Sequence, residues 1–84
     1  MRSYFVTFRS ITYAQRGQSL LKSHGVETVL QRTPKPMQER GCGYGLRLKQ
    51  EQAWMAVQLL QENRISFGKV YVQRPGGETE EVKV

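Results

Sequence analysis

The side chain with the most chemical scope in this chain is its single cysteine, Cys42. It sits between Gly41 and Gly43, at the end of the proline-bearing stretch Pro34-Lys35-Pro36-Met37-Gln38-Glu39-Arg40. A structural cysteine packs as a small hydrophobe among bulky apolar neighbours. Flanking glycines instead leave the thiol with little steric cover and let the backbone take turns that other residues resist. An exposed cysteine among cations favours the thiolate, which is the nucleophilic form. One histidine and one cysteine, His24 and Cys42, are too few for a tetrahedral metal site. The chain has no aspartate, which removes most hydrolytic and magnesium-dependent schemes. Thiol chemistry is therefore expected without an independent catalytic site, a resident metal or a cofactor.

The rest of the composition bounds the setting of that thiol. Eighty-four residues suffice for one domain with one modest core. A lone cysteine excludes an intrachain disulfide, so packing alone must hold the fold. No apolar run approaches the ~18 residues of a membrane span, and residues 1–6 lack the features of a signal peptide. The expected location is the reducing cytoplasm. Thirteen Lys and Arg against seven Glu give a net charge of +6, which attracts anionic partners. Glu78, Glu80 and Glu81 make the C-terminal end acidic.

The elements that must position Cys42 follow from the apolar spacing. Residues 4–8, aromatic and β-branched, predict a strand. Ser10 or Thr12 is placed to cap a helix whose stripe is Ile11, Ala14, Gly17 and Leu21, closed by His24 and Gly25. Residues 26–32 read as a less apolar strand near a sheet edge, stopped by Pro34 and Pro36. Tyr44, Leu46 and Leu48 alternate with Gly45, Arg47 and Lys49 in a third strand. A second helix then carries Ala53, Ala56, Val57 and Leu60 on one stripe, widened by Trp54, Met55 and Leu59. Residues 69–74 form a last strand, and residues 75–84 are expected to be a flexible acidic tail outside the single domain of residues 1–74.

The order β-α-β-β-α-β with right-handed crossovers predicts an α+β, ferredoxin-like sandwich. It would have a four-stranded antiparallel sheet of order 4-1-3-2 and both helices on one face. That topology brings the connection between strands two and three to the end of the sheet where strand one finishes and helix one begins. Cys42 is thus expected beside Arg9, Ser10 and Thr12, near the positive end of a helix dipole. Lys35 and Arg40 add charge from the loop, and Gly41 and Gly43 supply its hinge. Each feature stabilises a thiolate, so the thiol pKa is expected to be lowered.

Residues 4–74 resemble the selenium/sulfur carrier protein-like family, a group of small bacterial domains. The shared points are an aromatic opening strand ending in Phe8, a helix opened by Ser10 and containing Ala14, and a strand running into the loop at Pro34-Lys35-Pro36. Cys42-Gly43 leading to Leu46-Arg47 is the most specific of them. Where the family usually has an arginine after the loop proline, this chain has Lys35 and then Pro36. The resemblance implies that Cys42 holds sulfur or selenium as a persulfide or selenopersulfide. The atom would come from a donor protein and pass to an acceptor protein.

Two other readings use the same residues. A nucleic-acid module of this fold would stack bases on aromatics of strands one and three, and Gly43-Tyr44-Gly45 partly mimics its signature. The match breaks where Leu46 or Arg47 stands in place of an aromatic, and alternation sends Tyr44 to the core face. A non-catalytic interaction domain, dimerising through its open sheet face or the edge of strand two, is the other reading; Arg47, Lys49 and Lys69 would oppose such pairing. An exposed Trp54 would point to an oligomer contact.

Overall fold

The computed structural model describes residues 2–38 and 43–84. Its first strand, β1 (Ser3–Phe8), leads into α1 (Ile11–Ser23), then β2 (Val29–Arg32) and a short 3-10 turn at Lys35–Met37. β3 (Tyr44–Lys49) follows, then a second 3-10 turn, α2 (Ala53–Glu62), β4 (Val70–Gln73) and β5 (Thr79–Val82). The strands form one antiparallel sheet of order β2-β3-β1-β4-β5. The expected order of the first four strands is present, with β2 at an edge as its weaker apolar pattern implied.

The expected four-stranded sheet is corrected to five strands, and the acidic end supplies the addition. Gly77 takes a φ of 90°, which closes a turn in which its N–H donates to the Arg74 carbonyl at 2.9 Å. The chain then pairs with β4, placing Glu80 opposite Val72 and Glu81 opposite Tyr71. Arg74 reaches Glu80 at 2.8 Å and Lys69 reaches Glu81 at 3.3 Å. These exposed ion pairs each contribute at most about 1 kcal/mol, so the backbone ladder and the packing of Val82 hold the strand.

Alternation sorts the sheet into two faces. Val6 and Phe8 share a face with Leu46, Leu48 and Val70, and both helices pack there. α1 contributes Ala14 and Leu21, and α2 contributes Ala56, Val57 and Leu60, all buried. Gly17 stands where the layers approach most closely. A Cβ there would meet Phe8 Cζ at 3.0 Å and a Leu60 methyl at 3.2 Å. The expected stripes were too wide: Ile11, Trp54 and Met55 are exposed.

The helices stop by the same device with different residues. After α1 the Val26 N–H donates to the Leu21 carbonyl around Gly25, whose φ is 79°. After α2 the Ile65 N–H donates to Leu60 around Arg64, whose φ is 56°. The first closure carries Val26 into the core outside any strand, which is why β2 begins only at Val29.

Candidate functional site

Segment 39–42, which holds Arg40, Gly41 and Cys42, lies outside the described residues. Its two ends are tied together at a neck. The Thr33 N–H donates to the Gly43 carbonyl at 3.0 Å, and Gln38 Nε2 donates to the Thr33 carbonyl at 3.0 Å. Thr33 is 2% exposed, and its hydroxyl has no partner among the described residues. Around Gly43 a Cβ would meet nothing within 4 Å among the described residues.

The neck stands at the end of the sheet where α1 begins. Tyr44 pairs with Phe8, and one residue beyond that pair on each strand are Gly43 and Arg9. Ser10, rather than Thr12, is the N-cap: extended at φ −144° and ψ 163°, it accepts the Tyr13 N–H at 3.3 Å. The N–H groups of Ile11 and Thr12 have no intrahelical partners, because no residue precedes them by a full turn. Arg9, Thr12 and Lys35 are exposed, and Arg32 lies over the Tyr44 ring at 5.8 Å. Helix N–H groups and cations at one end of the domain favour an anion there over a neutral group.

What sequence reasoning missed is how the segment is held. Between Thr33 and Gln38 the chain makes a 3-10 turn, with the Met37 N–H donating to the Pro34 carbonyl at 2.9 Å. The prolines preset φ for this tight turn. It drives Met37 onto the sheet face opposite the helices, where it is 0% exposed against Phe5 and Tyr71. Gly45 makes room for this second cluster. A Cβ there would lie 2.4 Å from Phe5 Cε2 and 2.4 Å from the Val6 carbonyl oxygen. The alternation of Gly45 with apolar residues, facing an aromatic on the adjacent strand, is the signal that could have found it.

The remainder of that face is polar. Arg47 lies over the Phe5 ring at 5.6 Å. It donates from Nε to Gln31 Oε1 at 3.1 Å, and from Nη1 to Ser3 Oγ at 2.9 Å and Gln73 Oε1 at 2.7 Å. One side chain thus joins four strands, from β2 across to β4. No exposed aromatic stands on this face among the described residues. Phe5 and Tyr71 are covered, while Tyr4 and Tyr44 pack on the helix side. The base-stacking platform needed by the nucleic-acid reading is therefore missing from the described residues.

His24 caps the C-terminal end of α1, where it is exposed. A helix of 13 residues, ~20 Å long, separates it from the Ser10 end. His24 thus stands at the opposite end of α1 from the Ser10 cap. Trp54 and Met55, 54% and 45% exposed, lie side by side on α2. Among the described residues no helix is long and apolar enough to cross a membrane.

Comparison with known proteins adds one finding. Residues 3–72 match the family described as "Putative Se/S carrier protein-like", and β5 lies beyond the matched span. No curated protein and no solved structure matches the chain.

Proposed function

Because the chain belongs to the Se/S carrier protein-like family, we propose that Cys42 is a carrier thiol that holds sulfur or selenium between a donor and an acceptor protein. The observation that carries this reading is the family match, whose span includes the only cysteine of the sequence. We also read β1–β4 with α1 and α2 as a ferredoxin-like unit extended by β5. The β2-β3-β1-β4 order supports that reading.

In the loading step the Cys42 thiolate attacks the outer sulfur of a donor persulfide, R–S–SH. The Cys42 S–S bond forms, the donor S–S bond breaks, and R–S⁻ leaves with the electron pair. In delivery an acceptor thiolate attacks the outer atom and the Cys42 thiolate leaves. Neither step consumes an oxidant or a reductant. A thiol of lowered pKa serves both steps, since it is more ionised as attacker and a better leaving group afterwards. Arg9 and Lys35, with the free N–H groups of Ile11 and Thr12, are the described residues suited to favour that thiolate; Arg40, Gly41 and Gly43 complete the proposed environment. With one cysteine, the chain has no second thiol to discharge the persulfide onto itself. The carried atom would then wait for a partner protein, in a reducing compartment such as the cytoplasm.

The test is the pH dependence of Cys42 alkylation, read by intact mass, in the wild type, Ser10→Ala and Arg40→Ala. Rapid labelling below the pH at which a free cysteine reacts, slowed in either variant, is the expected result. Labelling indistinguishable from free cysteine would sink the activated-thiolate mechanism.

A second reading, an interaction domain that self-associates through α2, is favoured by the adjacent exposure of Trp54 and Met55. Sedimentation over a range of concentrations decides it: a constant monomer mass excludes it.

A further inference from the structure

On the open sheet face, Arg47 is a half-buried cation with only neutral partners. It lies over the Phe5 ring, and its bonded acceptors are Gln31 Oε1, Ser3 Oγ and Gln73 Oε1. These take the Nε donor and two donors from Nη1. A guanidinium has five N–H groups, so the two on Nη2 have no partner among the described residues. Neutral acceptors fix the side chain, but only an anion balances a charge partly removed from water. A cleft of about 290 Å³ opens beside it, between the start of β2 and the paired residues Ser3 and Lys49. Lys49 is two residues from Arg47 on β3, so both rise from the same face. Arg2 adds a third cation to the lining, against the single carboxylate of Glu27. Val29, 58% exposed, gives the cleft an apolar wall.

We propose that this cleft binds a small organic carboxylate with an apolar body. The carboxylate accepts from Arg47 Nη2, Lys49 and Arg2 add attraction, and the hydrocarbon lies against Val29. An arginine already held by three neighbours loses little freedom when it binds, which favours affinity. The spare donors are few and the wall is apolar, which suits one carboxylate on a hydrocarbon better than a phosphate with several oxygens to satisfy. The cleft is at the small end of ligand pockets, so the body is a short chain or a single ring. Ser3 and Lys49 stand about 17 Å along β1 from the Phe8–Tyr44 pair at the neck. The proposal therefore does not rest on the reading of Cys42.

The experiment titrates hexanoate into the isotope-labelled chain and follows backbone amides by NMR, with hexanol and inorganic phosphate as parallel probes. Saturable shifts centred on Ser3, Val29, Arg47 and Lys49 are expected, with a Kd on the order of 1 mM. Hexanol and phosphate each offer half of the match and should bind about tenfold more weakly or worse. Lys49→Gln, at an exposed position, should weaken hexanoate about threefold or more. Arg16→Gln, on the exposed face of α1, removes the same charge elsewhere and should leave binding unchanged. Arg47→Gln should abolish binding; because Arg47 joins four strands, Lys49→Gln carries the test should that variant fail to fold. Three results would overturn the proposal. They are no saturable shift at these residues, hexanol or phosphate binding as tightly as hexanoate, and a loss in Lys49→Gln no larger than in Arg16→Gln.

Discussion

The two faces of the sheet are built by opposite means. On the helix side, two amphipathic helices bury Val6, Phe8, Leu46, Leu48 and Val70, and Gly17 lets the layers close. On the other side, a single methionine from an irregular connection buries Phe5 and Tyr71, and an arginine network spans the rest. The first face supplies most of the apolar burial and should govern global stability. The second buries little but holds the stretch that leads to the cysteine. The contrast separates global stability from the seating of residues 34–38, and substitutions can test whether Cys42 follows the second.

The largest effect is expected on the helix side. Leu60→Ala removes a fully buried side chain at the contact with Gly17, and should cost about 2–5 kcal/mol in urea unfolding. In protein that remains folded, the Cys42 labelling profile should not move. A shift in that profile would break the separation.

Next comes Gly45→Ala. Its Cβ would collide with both the Phe5 ring and the backbone oxygen of Val6, so a cost of about 1–3 kcal/mol is expected from overpacking. Here the labelling profile should move as well, because the Met37 seat is displaced. Full stability in thermal unfolding would show that the ring over Gly45 is not the constraint described.

Gly43→Ala, two residues away, should change stability by no more than about 0.5 kcal/mol, because the added methyl meets no atom of the described residues within 4 Å. The pair sharpens the comparison: the same substitution within one short stretch is costly only where a ring lies against the glycine. A similar loss at both positions, in parallel melts, would argue for conformational freedom instead.

These particulars also explain what the sequence made legible. The alternation of Tyr44, Leu46 and Leu48, and the helical spacing of Ala53, Ala56, Val57 and Leu60, reflect a face covered by regular elements. Periodicity reports that kind of burial directly. The Ser10 cap and the Gly25 stop were readable for the same local reason. Met37 was not readable, because a residue buried from a connection has no period, and its partners Phe5 and Tyr71 are distant in sequence. β5 was missed because Glu80 and Glu81 at its centre have little strand propensity, and Thr79 and Val82 alone are too few to signal a strand. Pairing with β4 decides their conformation, and Pro75-Gly76-Gly77 is a hairpin turn rather than the start of a loose tail. The end of the domain where the neck stands followed from topology, whereas the way the connection is seated there did not.

The most direct test of a carrier role is sulfur loading of the reduced domain by a low-molecular-weight alkyl persulfide at neutral pH, followed by intact mass. The controls are Cys42→Ser and a peptide spanning residues 34–47, which has the same thiol without the fold. The account predicts that the folded domain gains one sulfur atom about tenfold faster than the peptide or more. The domain should return to its starting mass on addition of an acceptor thiol, and Cys42→Ser should gain none. Equal rates for domain and peptide would contradict it, since the fold would then contribute nothing to the chemistry of Cys42.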